Sequence, residues 1–160
     1  MAGMEVLEYY CSDNQKHWLS EIEKSDWGAG TYLYELLRDN KLKELCGEAT
    51  KVLLLTEGYS LVSFCTYAPN DDIPNTPLTP WVGFVYTFPQ FRGQRCMGIL
   101  FDYVNKLAMA EGHEFIYVST LEIGLYEKYG FTFLQFMKDI HGDGSRVYSR
   151  KVQLSGESDE

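Results

Sequence analysis

The sequence predicts an α/β domain in which one mixed β-sheet carries helices layered on its faces. Three observations carry that expectation. Apolar runs of strand length stand at both ends of the chain. In the middle, Trp81 to Phe88 is nearly all apolar, as in a strand covered on both sides. A helical pattern and another strand follow, so residues 81 to 120 read as a crossover unit with two parallel strands side by side. The chain has 160 residues, 45% of them hydrophobic, which is enough for one domain whose core needs neither disulfide nor metal.

Taken in order, Met4 to Tyr10 is the first strand. Ser12 with Gln15 three residues on has the spacing of a capping box, opening a helix with Trp18, Leu19 and Ile22 on its inner face. The break SDWGAG precedes a second helix, with Leu33, Leu36 and Leu37 at core spacing and Gly47 as its stop. Lys51 to Thr56 and Ser60 to Ala68 read as antiparallel strands about a turn at Glu57-Gly58. Ala68 to Pro80 holds four of the five prolines and is expected as a long exposed connection.

After strand 81–88 comes the strongest helix pattern, Met97 to Glu111. Its apolar stripe is Ile99, Leu100, Tyr103, Val104, Leu107 and Ala108, and Gly112 ends it. Glu114 to Thr120 is a strand, 123–129 a short helix, and Thr132 to Asp139 and Ser145 to Val152 the last two strands. These turn at His141-Gly142-Asp143-Gly144. The tail 155–160 reads as acidic and disordered, so the domain spans 1–154.

The net charge is −9 and no stripe of Lys or Arg forms, so a nucleic-acid partner is not expected. Cys11, Cys46, Cys65 and Cys96 are scattered, without metal-ligand or disulfide spacing, so no metal is expected. Cys65 reads as a buried strand residue, and Cys96 as a packing residue at a helix start, where a thiol's pKa can fall. No signal segment or membrane-length apolar run is visible, and a cytoplasmic protein is expected.

The chemistry concentrates at PWVGFVYTFPQFRGQRCMG, residues 80 to 98, where a strand passes through Arg92-Gly93 into a helix. Free amides and the helix dipole converge at such a junction, which suits a phosphate. Further on stands GLYEKYGF, Gly124 to Phe131. Together the two segments resemble the acyl-CoA site of the GNAT superfamily of N-acetyltransferases, and the resemblance spans residues 50 to 152. It implies the family's fold, a mixed sheet splayed after strand 81–88.

In that register Arg92 leads, Gly93 to Gly98 (Gly93, Gln94, Arg95, Cys96, Met97, Gly98) form the pyrophosphate cradle, and backbone groups of Val85, Tyr86 and Thr87 pair with the pantetheine arm. Arg95 stands where a glycine is usual and Met97 where a small residue is usual. Ser119 stands where many relatives have asparagine and would contact the same arm. Tyr126 matches the tyrosine that assists the leaving thiolate.

The resemblance implies acetyl transfer from acetyl-CoA to a primary amine of a small molecule or peptide. A non-catalytic acyl-CoA-binding regulator with the same fold is the alternative. Some relatives place a glutamate on the strand equivalent to 81–88, which here carries no carboxylate. Asp71, Asp72, Glu122 and His141 are available proton acceptors, and spacing selects none of them. Oligomeric state is open, a homodimer being one arrangement the sequence allows.

Overall fold

The structure, a computed structural model, describes residues 3–153, and the tail expected to be disordered lies outside them. Seven strands form one sheet: β1 (Met4–Glu8), β2 (Lys51–Glu57), β3 (Ser60–Ala68), β4 (Trp81–Thr87), β5 (Phe115–Thr120), β6 (Thr132–Lys138) and β7 (Gly144–Lys151). Their order is β1-β2-β3-β4-β5-β7-β6, and only the β4–β5 pair is parallel. The helices are α1 (Gln15–Glu23), α2 (Gly28–Arg38), α3 (Leu42–Cys46) and α4 (Cys96–Ala110).

The strand period divides the core between the two faces. On β2, Leu53 and Leu55 join the cluster under α4, while Val52 and Leu54 join the cluster under α1, α2 and α3. All four are fully buried, and each such side chain contributes about 1.5–3 kcal/mol.

Four local expectations change. The capping box is not formed, because Ser12 closes a short 3-10 turn, Tyr9–Cys11. Its Oγ accepts the Asn14 amide at 3.0 Å, and Gln15 Nε2 donates to the Tyr10 carbonyl at 3.2 Å. The single helix expected to end at Gly47 is two, α2 and α3, parted where Asn40 takes φ 57°. The proline-rich connection is not wholly exposed: Ile73 is buried against Trp81 and Val147. The short helix at 123–129 is only a 3-10 turn, Tyr126–Tyr129.

The face of α4 also differs from the expected stripe. Ile99 is 40% exposed, and Phe101, outside that stripe, is fully buried. Phe101 points at the segment after β5, meeting Tyr126, Tyr129 and Phe131 at centroid distances of 6.1, 5.3 and 5.5 Å. These rings come from outside the crossover unit, so they shift the buried arc of α4 away from Ile99.

Between β4 and β5 the ladder has only the pairs Trp81–Tyr117 and Val82–Val118, and the strands then part. On its other side β4 pairs with β3, but Phe64 faces Tyr86 and Thr66 faces Gly83. Phe84 and Val85 therefore stand opposite Cys65 alone. That is a β-bulge, with Phe84 at φ 49°.

Truncating Phe101 to Ala should cost about 3–5 kcal/mol, and Ile99→Ala no more than about 0.5 kcal/mol, by urea denaturation. Equal losses at the two positions would contradict this packing.

Candidate functional site

Where β4 and β5 diverge, a cleft of about 1400 Å³ opens, and its walls come from every element near the split. Val85, Tyr86 and Thr87 line it. Past Val82 the β4 edge that faces β5 has no strand partner, so its backbone groups are available to an extended ligand. Tyr86 is fixed from several sides: its hydroxyl donates to the Asp26 carboxylate, and its ring stacks on Trp27 at 5.6 Å. Arg92 lies 5.4 Å over that ring and donates from Nε to the Thr87 carbonyl at 2.9 Å.

The turn into α4 holds two left-handed residues. Gly93 has φ 84°, which glycine adopts freely. Arg95 has φ 56° and ψ 35°, at a cost of about 1–3 kcal/mol for a residue with a side chain. Two contacts oppose that cost: its guanidinium donates to the Lys128 carbonyl at 3.1 Å and lies 5.0 Å over the Tyr129 ring. Arg95 thus takes the conformation that the expected glycine would have supplied.

Among the described residues, the amides of Gly93, Gln94, Arg95, Cys96 and Met97 have no hydrogen-bond partner, whereas the Gly98 amide donates to the Arg95 carbonyl at 3.0 Å. Arg92, Gly93, Arg95, Cys96 and Met97 line the cleft, and Gln94 and Gly98 do not. Cys96 is buried with its Sγ 3.7 Å from the Phe91 carbonyl, and burial pushes its thiol pKa up rather than down.

Across the cleft, Tyr126 is buried on the 3-10 turn that Gly130, at φ 87°, brings to a stop. Among the described residues its hydroxyl has no hydrogen-bond partner. Burial raises its pKa above the usual phenol value, with the charges of Cys65, Asp71 and Glu122 adding to the effect. It therefore stays a neutral donor at physiological pH. Ser119 also lines the cleft, its Oγ 2.6 Å from that of Ser145.

Of the four acceptors that spacing left level, Glu122 and His141 line the cleft but stand exposed. Asp71 and Asp72 are half-buried in it. Asp71 Oδ1 lies 2.1 Å from the point where a Cβ on Gly83 would stand, so the carboxylate fills the space of the side chain that β4 lacks there. Behind the same point, 3.1 Å from it, is Thr66 Oγ1, which is buried and unpartnered among the described residues. Burial, then the charge of Asp72, pushes Asp71 up to about 7. Asp72 is raised by burial, and its Oδ1 is buried without a hydrogen-bond partner among the described residues. The proline-rich connection thus belongs to the site, for which its two adjacent carboxylates were the only sequence signal.

Cationic groups in the cleft, Arg92, Arg95 and Lys128, lie around the turn into α4. The carboxylates Asp71, Asp72, Asp139 and Asp143 come from the loops before β4 and between β6 and β7. Among the described residues no group of three or more His, Cys, Asp or Glu side chains could hold a metal ion. None of the described helices is long and apolar enough to cross a membrane.

Several solved structures share this architecture. An aminoglycoside 6'-acetyltransferase of type Ii superposes with a TM-score of 0.69 at 14% identity, covering 94% of this chain and 98% of that one. An acetyltransferase from Streptococcus agalactiae gives 0.63 at 20% identity, covering 94% and 99%. A GNAT family N-acetyltransferase from Escherichia coli in complex with CoA gives 0.63 at 13%, covering 95% and 82%. No curated protein matches the sequence at a significant level. The profile of the acetyltransferase (GNAT) family matches residues 9–131, most of the chain, and with the splayed sheet this places the protein in that family.

Proposed function

We propose that this protein moves an acetyl group from acetyl-CoA to a primary amine of a small molecule or peptide by direct attack. The observation that carries the reading is that unpartnered amides in the 93–97 turn, the unpaired β4 edge and Tyr126 meet in one cleft. The amides and Arg95 would hold the pyrophosphate, with Val85, Tyr86 and Thr87 along the pantetheine arm and Ser119 beside it. Acetyl-CoA supplies an activated carbonyl on a thioester.

Tyr126 then acts on the departing sulfur. A phenol at its ordinary pKa of about 10 is already uphill by roughly 2 kcal/mol as a proton donor to a thiolate. Burial raises it further, so its contribution is a hydrogen bond to growing negative charge rather than complete proton transfer. A covalent acetyl-enzyme is disfavoured by the cysteines at hand. Cys46 and Cys96 line the cleft but are buried with raised thiol pKa values, Cys46 to about 12. The carboxylates at the far end favour an acceptor that arrives as a cation.

Replacing Tyr126 with Phe should lower kcat about ten- to a hundredfold and leave acetyl-CoA affinity near the parent's, by steady-state kinetics and calorimetry. Unchanged turnover would remove its role. Arg95→Ala should weaken acetyl-CoA binding by about the same factor, and Gly93→Val more, because a branched residue resists φ 84°. Parent-like affinity in both variants would place the phosphates elsewhere.

A further inference from the structure

We propose that Asp71 is the proton acceptor for the incoming amine, delivered by the loop before β4 into the space left empty by Gly83. The inference rests on the transfer reading above and supplies the group that reading lacks. An ammonium must lose a proton before its nitrogen can attack, and β4, from Trp81 to Thr87, carries no carboxylate. The structure supplies one from outside the strand, since Asp71 Oδ1 stands 2.1 Å from the Cβ position of Gly83. Gly83 is the first β4 residue beyond the last β4–β5 pair, at Val82. The carboxylate therefore sits where the cleft opens, close enough to Tyr126 for its charge to act on that phenol.

The groups that bear on Asp71 from each neighbouring element are all acidic or neutral. They are Asp72 from the same loop, Cys46 from α3, Tyr126 from the turn after β5 and, through Asp72, Asp139 from the turn after β6. Asp72, whose Oδ1 is buried without a hydrogen-bond partner among the described residues, acts as a positioning residue. Burial first and the charge of Asp72 second keep the Asp71 value near neutrality, where a general base is most effective.

The ammonium gives its proton to an Asp71 oxygen, and the nitrogen lone pair forms the bond to the acetyl carbon. The adduct nitrogen gives its second proton to the departing sulfur, which takes the carbon–sulfur pair and leaves as the thiol beside the Tyr126 hydroxyl, and Asp71 returns its proton to solvent.

Asp71→Asn keeps the shape and removes the base. Thiol release from acetyl-CoA would be followed with two probe amines, 1,4-diaminobutane, protonated at neutral pH, and hydroxylamine, already unprotonated. At about pH 7.5 the variant should lose about a hundredfold on diaminobutane and stay within about twofold on hydroxylamine. Its diaminobutane rate should also climb about tenfold per pH unit above neutrality, where the parent is level. Equal losses on both amines, or no loss on either, would overturn the assignment. A parent that releases thiol to neither amine overturns the transfer reading itself and this proposal with it.

A second readout needs no turnover. The folded-state pKa of Asp71 lies above its unfolded value, so the stability it contributes is full below about pH 4 and is lost as pH rises through about 7. Asp71→Asn does not ionise. Its Tm should match the parent's near pH 4 and exceed it by a growing margin up to about pH 8. A constant difference across that range would show that the carboxyl is not held in the buried pair.

Discussion

The site depends on a sheet that stops pairing too early. Strands β4 and β5 share two residue pairs and then separate, which leaves one edge of β4 without a partner inside a covered sheet. Unpaired backbone groups away from water cost about as much as lost hydrogen bonds, so such a gap persists where something else completes it. The bulge at Phe84 and Val85 bends β4 at the same place, and the crossover through α4 sets a helix N-terminus at the end of the opened edge. One irregularity in one ladder thereby opens a cleft lined by an unpaired strand edge, a turn with unpartnered amides and a buried phenol.

Two further costs are concentrated around that gap. Arg95 is held left-handed by contacts with Lys128 and Tyr129, which stand on the turn that also carries Tyr126. The turn into α4 and the turn that carries Tyr126 are therefore tied to each other through one guanidinium. Asp71 and Asp72 place two carboxyls together in a half-buried position, an arrangement that disfavours the charged form and works against stability at neutral pH. Buried carboxyl pairs are rarely kept for packing, and here the pair faces the cleft.

Much of this was readable from the chain because it is local. The apolar run 81–88, the glycine turn and the helix after it lie in consecutive sequence, and each signals its own geometry through periodicity or a breaker. What escaped was non-local. The face of α4 was misplaced at Ile99 and Phe101 because the rings that bury Phe101 arrive 25 to 30 residues later. The fitness of Arg95 for a glycine's conformation depends on a carbonyl 33 positions away. The placing of Asp71 against β4 depends on Gly83, twelve residues on, whose missing side chain leaves the space that the carboxylate fills.

The most direct measurement is a single-turnover incubation of the protein with acetyl-CoA and a panel of cationic amines, read by mass spectrometry for both products. The account predicts free CoA and an N-acetylated amine in equal amounts, with no acetyl group left on the protein. Acetyl-CoA that binds and is recovered intact with every amine would contradict it, and would identify the cleft as an acyl-CoA-binding module of the same fold.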